Sequence, residues 1–327
     1  MSIDYLKEVK SQNKRLTAKF MTLIENNNPT AIDQLKSMYL ERNTNTQIIG
    51  ITGFPGAGKS TIVSQLIKFY RNKNLSVGVI AIDPTSPFTG GAILGDRLRM
   101  DEFALDKQVF IRSMASRGRL GGLAPSTAAF IKILEYYGCN IILVETVGTG
   151  QSETDIIGMA DSVVLVTIPS SGDQIQALKA GVFEIADIFV VNKADLEGKD
   201  KQIMFIKQVI ELDKEKLTAQ WTPPIIETKA NEMNLTSNGI SSLALELENH
   251  RKFLINSKLI SKKRKNKIKT ELLTILQFTI SKDLLQIDDG SFITEAIEKI
   301  NEHELDPYTF IQTFLAGYYH QISEQKK

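Results

Sequence analysis

The alternation of apolar and polar positions divides the chain into three stretches. Over residues 1 to 45, apolar side chains recur at helical spacing: Tyr5, Leu6 and Val9, then Phe20, Leu23 and Ile24, then Ile32, Leu35, Tyr39 and Leu40 after Pro29. This predicts an amphipathic helical N-terminal extension. From Gln47 the pattern changes to short β-rich runs at 47–52, Val77 to Ile82, Val109 to Ile111, Ile141 to Glu145, Val163 to Ile168, Ile188 to Val191 and Pro224 to Glu227, with helical patterns between them. Runs of this kind imply an α/β fold, a mostly parallel sheet with helices on both faces. Beyond His250 the strand signal ends, and Leu272, Ile275, Leu276 and Ile280, then Phe292, Ala296 and Ile300, then Phe310 and Phe314 read as helices. The expected organisation is a helical extension over 1–45, an α/β domain over 46–254 and a helical C-terminal region over 255–327.

Between the first apolar run and the next helix the chain reads Gly53-Phe54-Pro55-Gly56-Ala57-Gly58-Lys59-Ser60-Thr61. The spacing G-x-x-x-x-G-K-S after a strand and before a helix marks a phosphate-binding loop and makes the domain a P-loop NTPase. Its glycines let successive backbone N–H groups point inward at a phosphate, on the positive end of the following helix. Lys59 can reach the outer phosphates, and Ser60 can hold a magnesium ion.

A phosphate loop leaves the base undecided, and Asn192-Lys193-Ala194-Asp195 at the end of the run 188–191 decides it. N-K-x-D in that position is the guanine-specificity motif of GTPases. A carboxylate such as Asp195 accepts hydrogen bonds from the guanine N1–H and exocyclic amine, groups that adenine does not offer there. The run 141–144 ends in Glu145-Thr146-Val147-Gly148-Thr149-Gly150-Gln151. Glu145 can hold magnesium directly or through water, Gly148 can bring a backbone N–H to the γ-phosphate, and Gln151 is a candidate for orienting the attacking water. Asp83 closes the second run and Asp96 follows a glycine-bearing polar stretch. Both are candidate magnesium-site residues, Asp83 also as a base toward water, and Asp96 doubles as a candidate helix N-cap.

Composition narrows the partners. With 39 basic and 38 acidic side chains the formal net charge is +1, so no global field draws the protein to nucleic acid or an anionic membrane. The basic run Ser261 to Lys267 reads as a solvated helix face or linker in preference to a nucleic-acid site. No apolar stretch is long enough to span a bilayer, and a lone Cys139 without a leader pattern points to the cytoplasm.

These motifs together resemble the MeaB/ArgK-type GTPases, G-protein chaperones of cobalamin-dependent acyl-CoA mutases within the SIMIBI class of P-loop proteins. The resemblance rests on the phosphate loop, D-P-T-S at 83–86, G-G-A-I-L-G-D-R at 90–97, F-I-R-S at 110–113, G-R-L-G-G-L-A at 118–124, I-L-V-E-T-V-G-T-G-Q-S-E at 142–153, G-D-Q-I-Q-A-L-K at 172–179 and N-K-A-D at 192–195. It implies that residues 53 to 61 with Lys59 and Ser60 bind the phosphates, that Asp83, Asp96 and Glu145 surround Mg2+, and that Asn192, Lys193 and Asp195 bind the guanine of GTP or GDP. It also implies a switch around Asp173, Gln176 and Lys179, a base-packing loop at Thr228-Lys229-Ala230, a mutase of the methylmalonyl-CoA type as partner, and a homodimer. Two alternatives stand beside it. A metal-insertion GTPase of the same class would need His and Cys ligands near the nucleotide, whereas His250, His303 and His320 lie outside the nucleotide motifs. A transport-associated kinase would ordinarily use ATP.

Overall fold

In a computed structural model of the chain, the described residues are 3–41, 45–83, 101–115, 125–146, 158–169, 182–214, 221–232, 234–235, 237–286 and 291–325. Seven parallel strands form one sheet: β1 (Gln47–Gly53), β2 (Val77–Asp83), β3 (Val109–Ala115), β4 (Ile141–Glu145), β5 (Ser162–Thr167), β6 (Ile188–Asn192) and β7 (Ile225–Thr228). Their order is β3-β2-β4-β1-β5-β6-β7, with β1 at the centre. Strands β1, β4, β5 and β6 are buried along their whole length. That is why their sequences read as continuous apolar runs without a polar face.

Successive side chains of a strand point to opposite faces, and two cores result. Ile48, Ile80, Ile142 and Val163 face a cluster with α1 (Tyr5–Lys10), α2 (Lys14–Glu25), α3 (Pro29–Leu40) and α5 (Pro125–Tyr137), where Phe20, Met21, Met38 and Phe130 are buried. Ile49, Val79, Leu143 and Val164 face the other cluster, which is closed by α4 (Lys59–Asn72) and α7 (Ile240–Asn256). Leu165, Phe189 and Val191 pack with Ile206 and Val209 of α6 (Lys199–Lys214).

The N-terminal helices start where side-chain caps place them. Asp4, Asn13 and Asn28 accept the N–H groups of Lys7, Leu16 and Ala31 at 3.2, 3.2 and 3.1 Å, and Pro29 occupies the first turn of α3. From β3, Arg112 donates to Glu25 at 3.0 Å and to Thr22 at 3.1 Å, with its guanidinium 5.5 Å from the Phe130 ring centroid.

Compact units comprise Met1–Glu271 and Leu272–Lys327. The first includes the start of α8 (Leu259–Gln286), where the basic run lies. Two of its lysines, one helical turn apart, face inward: Lys263 donates to the Asp161 carbonyl at 2.8 Å and meets the Asp187 carboxylate at 3.2 Å, and Lys267 meets the Asp161 carboxylate at 2.5 Å. The expectation of a solvated helix face or linker is corrected at these two positions, while the rest of the run is exposed. The second unit holds α9 (Ser291–Asn301) and α10 (Pro307–Gln325), the latter started by Asp306, whose carboxylate accepts the N–H groups of Tyr308 and Thr309 at 2.9 Å each. Among the described residues no helix is long and apolar enough to cross a membrane.

Candidate functional site

All seven strands run the same way, so their carboxyl ends gather the candidate residues along one edge, the usual place for a ligand in an open α/β sheet. The phosphate loop leaves β1 at Gly53 and enters α4 at Lys59. Gly53 has φ +138°, and a Cβ there would lie 2.1 Å from the Val166 carbonyl oxygen of β5. Gly58 has φ +91° and stands at the helix start with no side-chain cap, so the first turn of α4 presents its backbone donors without competition from a capping oxygen. Lys59, though only 7% exposed, is held by oxygens: its Nζ donates to the carbonyls of Gly53 at 2.8 Å and Phe54 at 3.0 Å. Its ammonium thus lies along the loop's own carbonyls, within the turn that a phosphate would occupy.

The candidate metal side of the site is built from β4. Glu145, at its end, is level with Ile51 of β1 on one side and Ala81 of β2 on the other. The Ser60 hydroxyl donates to the Glu145 carboxylate at 2.6 Å, with both residues buried. Thr146 is anchored beside it through its N–H to the Ile51 carbonyl at 3.1 Å and its hydroxyl to that of Thr52 at 3.0 Å. Asp83 ends β2, two residues beyond the level of Glu145. Ser60 and Glu145 offer hard oxygen donors, the chemistry that suits magnesium, which takes few protein ligands and fills its shell with phosphate oxygens and water. Among the described residues no group of three or more His, Cys, Asp and Glu side chains converges on a metal site.

The candidate base side is built from β6 and β7, where Asn192 and Thr228 end neighbouring strands in register. The Asn192 side chain donates to the Ala57 carbonyl of the phosphate loop at 2.8 Å and accepts from the Thr228 hydroxyl at 3.0 Å and the Ala230 N–H at 3.2 Å. Ala194 N–H donates to the Thr228 carbonyl at 3.0 Å, and Lys193 takes a left-handed conformation at φ +55°. Asp195 is exposed at the rim. Residues of three motifs, 53–61, 192–195 and 228–230, are therefore hydrogen-bonded into one edge. Sequence reading passed over Gln65, which donates from α4 to the Ala230 carbonyl at 3.2 Å. A polar residue amid Ile62, Val63, Leu66 and Ile67 was the available signal. Asp96, Gly148, Gln151, Asp173, Gln176 and Lys179 lie outside the described residues, as does the side chain of Asp83.

A second polar cluster lies at the opposite, amino end of the sheet. His250 is 1% exposed, with Nδ1 2.8 Å from the Ser162 hydroxyl and Nε2 3.3 Å from the Asp187 carboxylate. Serine, histidine and aspartate in that order suggest a hydrolase, but Ser162 is fully buried and presents no open face to a substrate. Burial lowers the His250 pKa, so the neutral ring fits as a donor to Asp187 and an acceptor from Ser162. Both ring nitrogens of His250 are thus engaged by protein groups.

The family described as "Methylmalonyl Co-A mutase-associated GTPase MeaB" matches residues 17–288. A relative from Pyrococcus abyssi, named no further than as a GTPase, is 47% identical over 308 residues, 94% of this chain and 93% of its own. GTPase ArgK of Escherichia coli is 41% identical over 188 residues, covering 56% of this chain and 57% of its own. A Caenorhabditis elegans protein named methylmalonic aciduria type A homolog, mitochondrial, is 32% identical over 253 residues, covering 72% of this chain and 63% of its own. The crystal structure of an LAO/AO transport system kinase superposes with a TM-score of 0.68 at 23% identity, covering 97% of this chain and 96% of its own, a likeness of fold.

Proposed function

This chain belongs to the MeaB family of GTPases, and from that premise we propose that it spends GTP on the care of a cobalamin-dependent acyl-CoA mutase of the methylmalonyl-CoA mutase type. Binding and hydrolysis of GTP gate the loading of adenosylcobalamin into the mutase and protect or reactivate it. The observation that carries the reading is the family match, which runs unbroken from the N-terminal helices through both nucleotide motifs and into α8. A nucleotide entering at the strand ends would draw the Lys59 ammonium from the Gly53 and Phe54 carbonyls onto its outer phosphates. Ser60 and Glu145, with Asp83 and Asp96 near them in sequence logic, would hold Mg2+, which when bound supplies positive charge against the phosphates. Asp195 would read the guanine while Asn192 fixes the base side to the phosphate loop.

Turnover is expected to be slow alone and faster with the mutase, since GTPases that lack a supplied arginine wait for a partner to complete the site. The segment around Asp173, Gln176 and Lys179 would report nucleotide state to that partner. A homodimer is part of the same reading, supported by Leu272, Leu276, Ile297 and Ile311, which remain exposed on the C-terminal helices. The single buried Cys139 agrees with action in the reducing cytoplasm. The deciding measurement is GTP hydrolysis with and without methylmalonyl-CoA mutase and its relatives. Acceleration by one of them supports the proposal, and no acceleration by any cobalamin-dependent mutase counts against it.

A further inference from the structure

We propose that Gln65 is a positioning residue for guanine recognition, its amide holding the base-side loop at Ala230 from inside the phosphate-loop helix. The inference rests on the reading above that residues 228–230 lie against the base. Gln65 follows Ser60 by about one and a half turns of α4 and is 6% exposed, among the fully buried Ile62, Val63, Leu66 and Ile67. An apolar side chain would fill that place with no polar group to satisfy. Instead Nε2 donates to the Ala230 carbonyl at 3.2 Å. That acceptor fixes the amide's orientation, because turning its oxygen toward Ala230 would set two acceptors face to face. Oε1 is then left buried with no hydrogen-bond partner among the described residues. A buried glutamine with half its amide unused is not what packing alone selects.

What the bond does follows from the ring it closes. Ala230 gives its N–H to Asn192 at 3.2 Å, Asn192 gives its amide N–H to Ala57 at 2.8 Å, and Ala57 leads through the loop back into α4, where Gln65 returns the connection to Ala230. Asn192, Ala230 and Ala57 belong to recognised nucleotide motifs, and Gln65 to none. It sets how far the base-side loop stands from the helix that carries Lys59 and Ser60, and so where the base edge sits once the phosphates are seated.

The test is nucleotide binding by the full-length protein carrying Gln65→Leu or Gln65→Met, two side chains of similar size without the donor. GDP and GTP affinity should fall roughly three- to tenfold, the scale of one hydrogen bond, while ATP affinity is unchanged, so guanine preference narrows. Guanine affinity unchanged from the parent, or equal losses for GTP and ATP, overturns the proposal, because a residue that merely packs α4 moves both nucleotides together. If the leucine variant does not fold, the methionine variant carries the same comparison. Asp195→Asn measured alongside separates the layers. A narrowed preference there with none at Gln65 defeats the role of Gln65 alone, whereas no change in either defeats the base-side reading and this inference with it.

Discussion

At the scale of the residue, the site is sensitive to single atoms. A Cβ at Gly58 would stand 2.3 Å from the Asn192 amide nitrogen, in a left-handed conformation that costs a non-glycine residue about 1 kcal/mol before any clash. Because Asn192 is already committed to Ala57, Thr228 and Ala230, it cannot swing away without releasing the base side. Gly58→Ala should therefore lower guanine-nucleotide affinity by more than tenfold, on the order of 1.4 kcal/mol or beyond, read by nucleotide titration. Parent-like affinity in that variant would remove the claimed tie between the two motifs. The motif made Gly58 legible in the sequence, but only the fold shows that its missing side chain leaves room for a residue far along the chain. Cys139 is a contrasting case. Burial pushes its thiol up to about 12, so the native protein should react with a thiol reagent only as fast as it opens, and rapid modification of folded protein would contradict its placement.

At the scale of the element, α8 is held to the sheet by carboxylates that also stitch strands together. Asp161 accepts the Ile48 N–H at 2.9 Å and Asp187 accepts the Val163 N–H at 2.8 Å, so each Asp joins the start of a strand to a lysine of α8. Lys267→Ala strips a partner from a carboxylate that is 7% exposed and should cost about 1–3 kcal/mol in denaturant unfolding. Replacing the exposed Lys262 or Lys265 should change stability by no more than about 0.5 kcal/mol. Equal effects at all three would refute the inward assignment. Sequence alone could not single out Lys263 and Lys267, because Lys262, Arg264 and Lys265 put the same charge on the neighbouring faces of the helix. Their partners come from strand starts far upstream. The same cluster gives stability a pH dependence. Burial holds His250 below its ordinary 6.5, Asp187 and Asp161 pull upward and Lys263 pushes downward, while Ser162 bonds the ring and Trp221 and Phe253 pack on it. The unfolded histidine takes its proton near 6.5 and the folded one at lower pH. Stability is therefore complete above that value and falls as pH drops below it, by at most about 1.4 kcal/mol per pH unit. Unfolding midpoints from pH 7.5 downward should fall more steeply in the parent than in His250→Gln, and parallel slopes would exclude the histidine as the cause.

At the scale of the whole molecule, β1, β4, β5 and β6 were legible because buried parallel strands announce themselves as apolar runs, and the nucleotide edge was legible because its motifs sit at the ends of such runs. Strand order was not, since nothing local places β4 between β2 and β1. Nor did the sequence reveal how α1 to α3 are bound to the rest. Their periodicity suggested an appended helical segment, yet Val9, Phe20, Met21 and Met38 are fully buried in the same cluster as Ile80, Phe130 and Ile142. A core shared in this way should unfold as one cooperative unit. Nucleotide bound at the strand ends must then stabilise helices that it does not touch, because α2 cannot open globally without releasing the sheet. At a free GDP concentration 100 times its dissociation constant, the gain is about 2.7 kcal/mol, and it should be felt equally by both. Hydrogen exchange under conditions where global unfolding dominates can read this directly: amides of α2 and amides of β1 should gain the same protection on addition of GDP. Phe20→Ala, expected to cost about 3–5 kcal/mol, should lower both together. If GDP slows exchange in β1 while α2 exchanges as before, the N-terminal helices open on their own, and the shared cluster does not bind them into the nucleotide domain's cooperative unit.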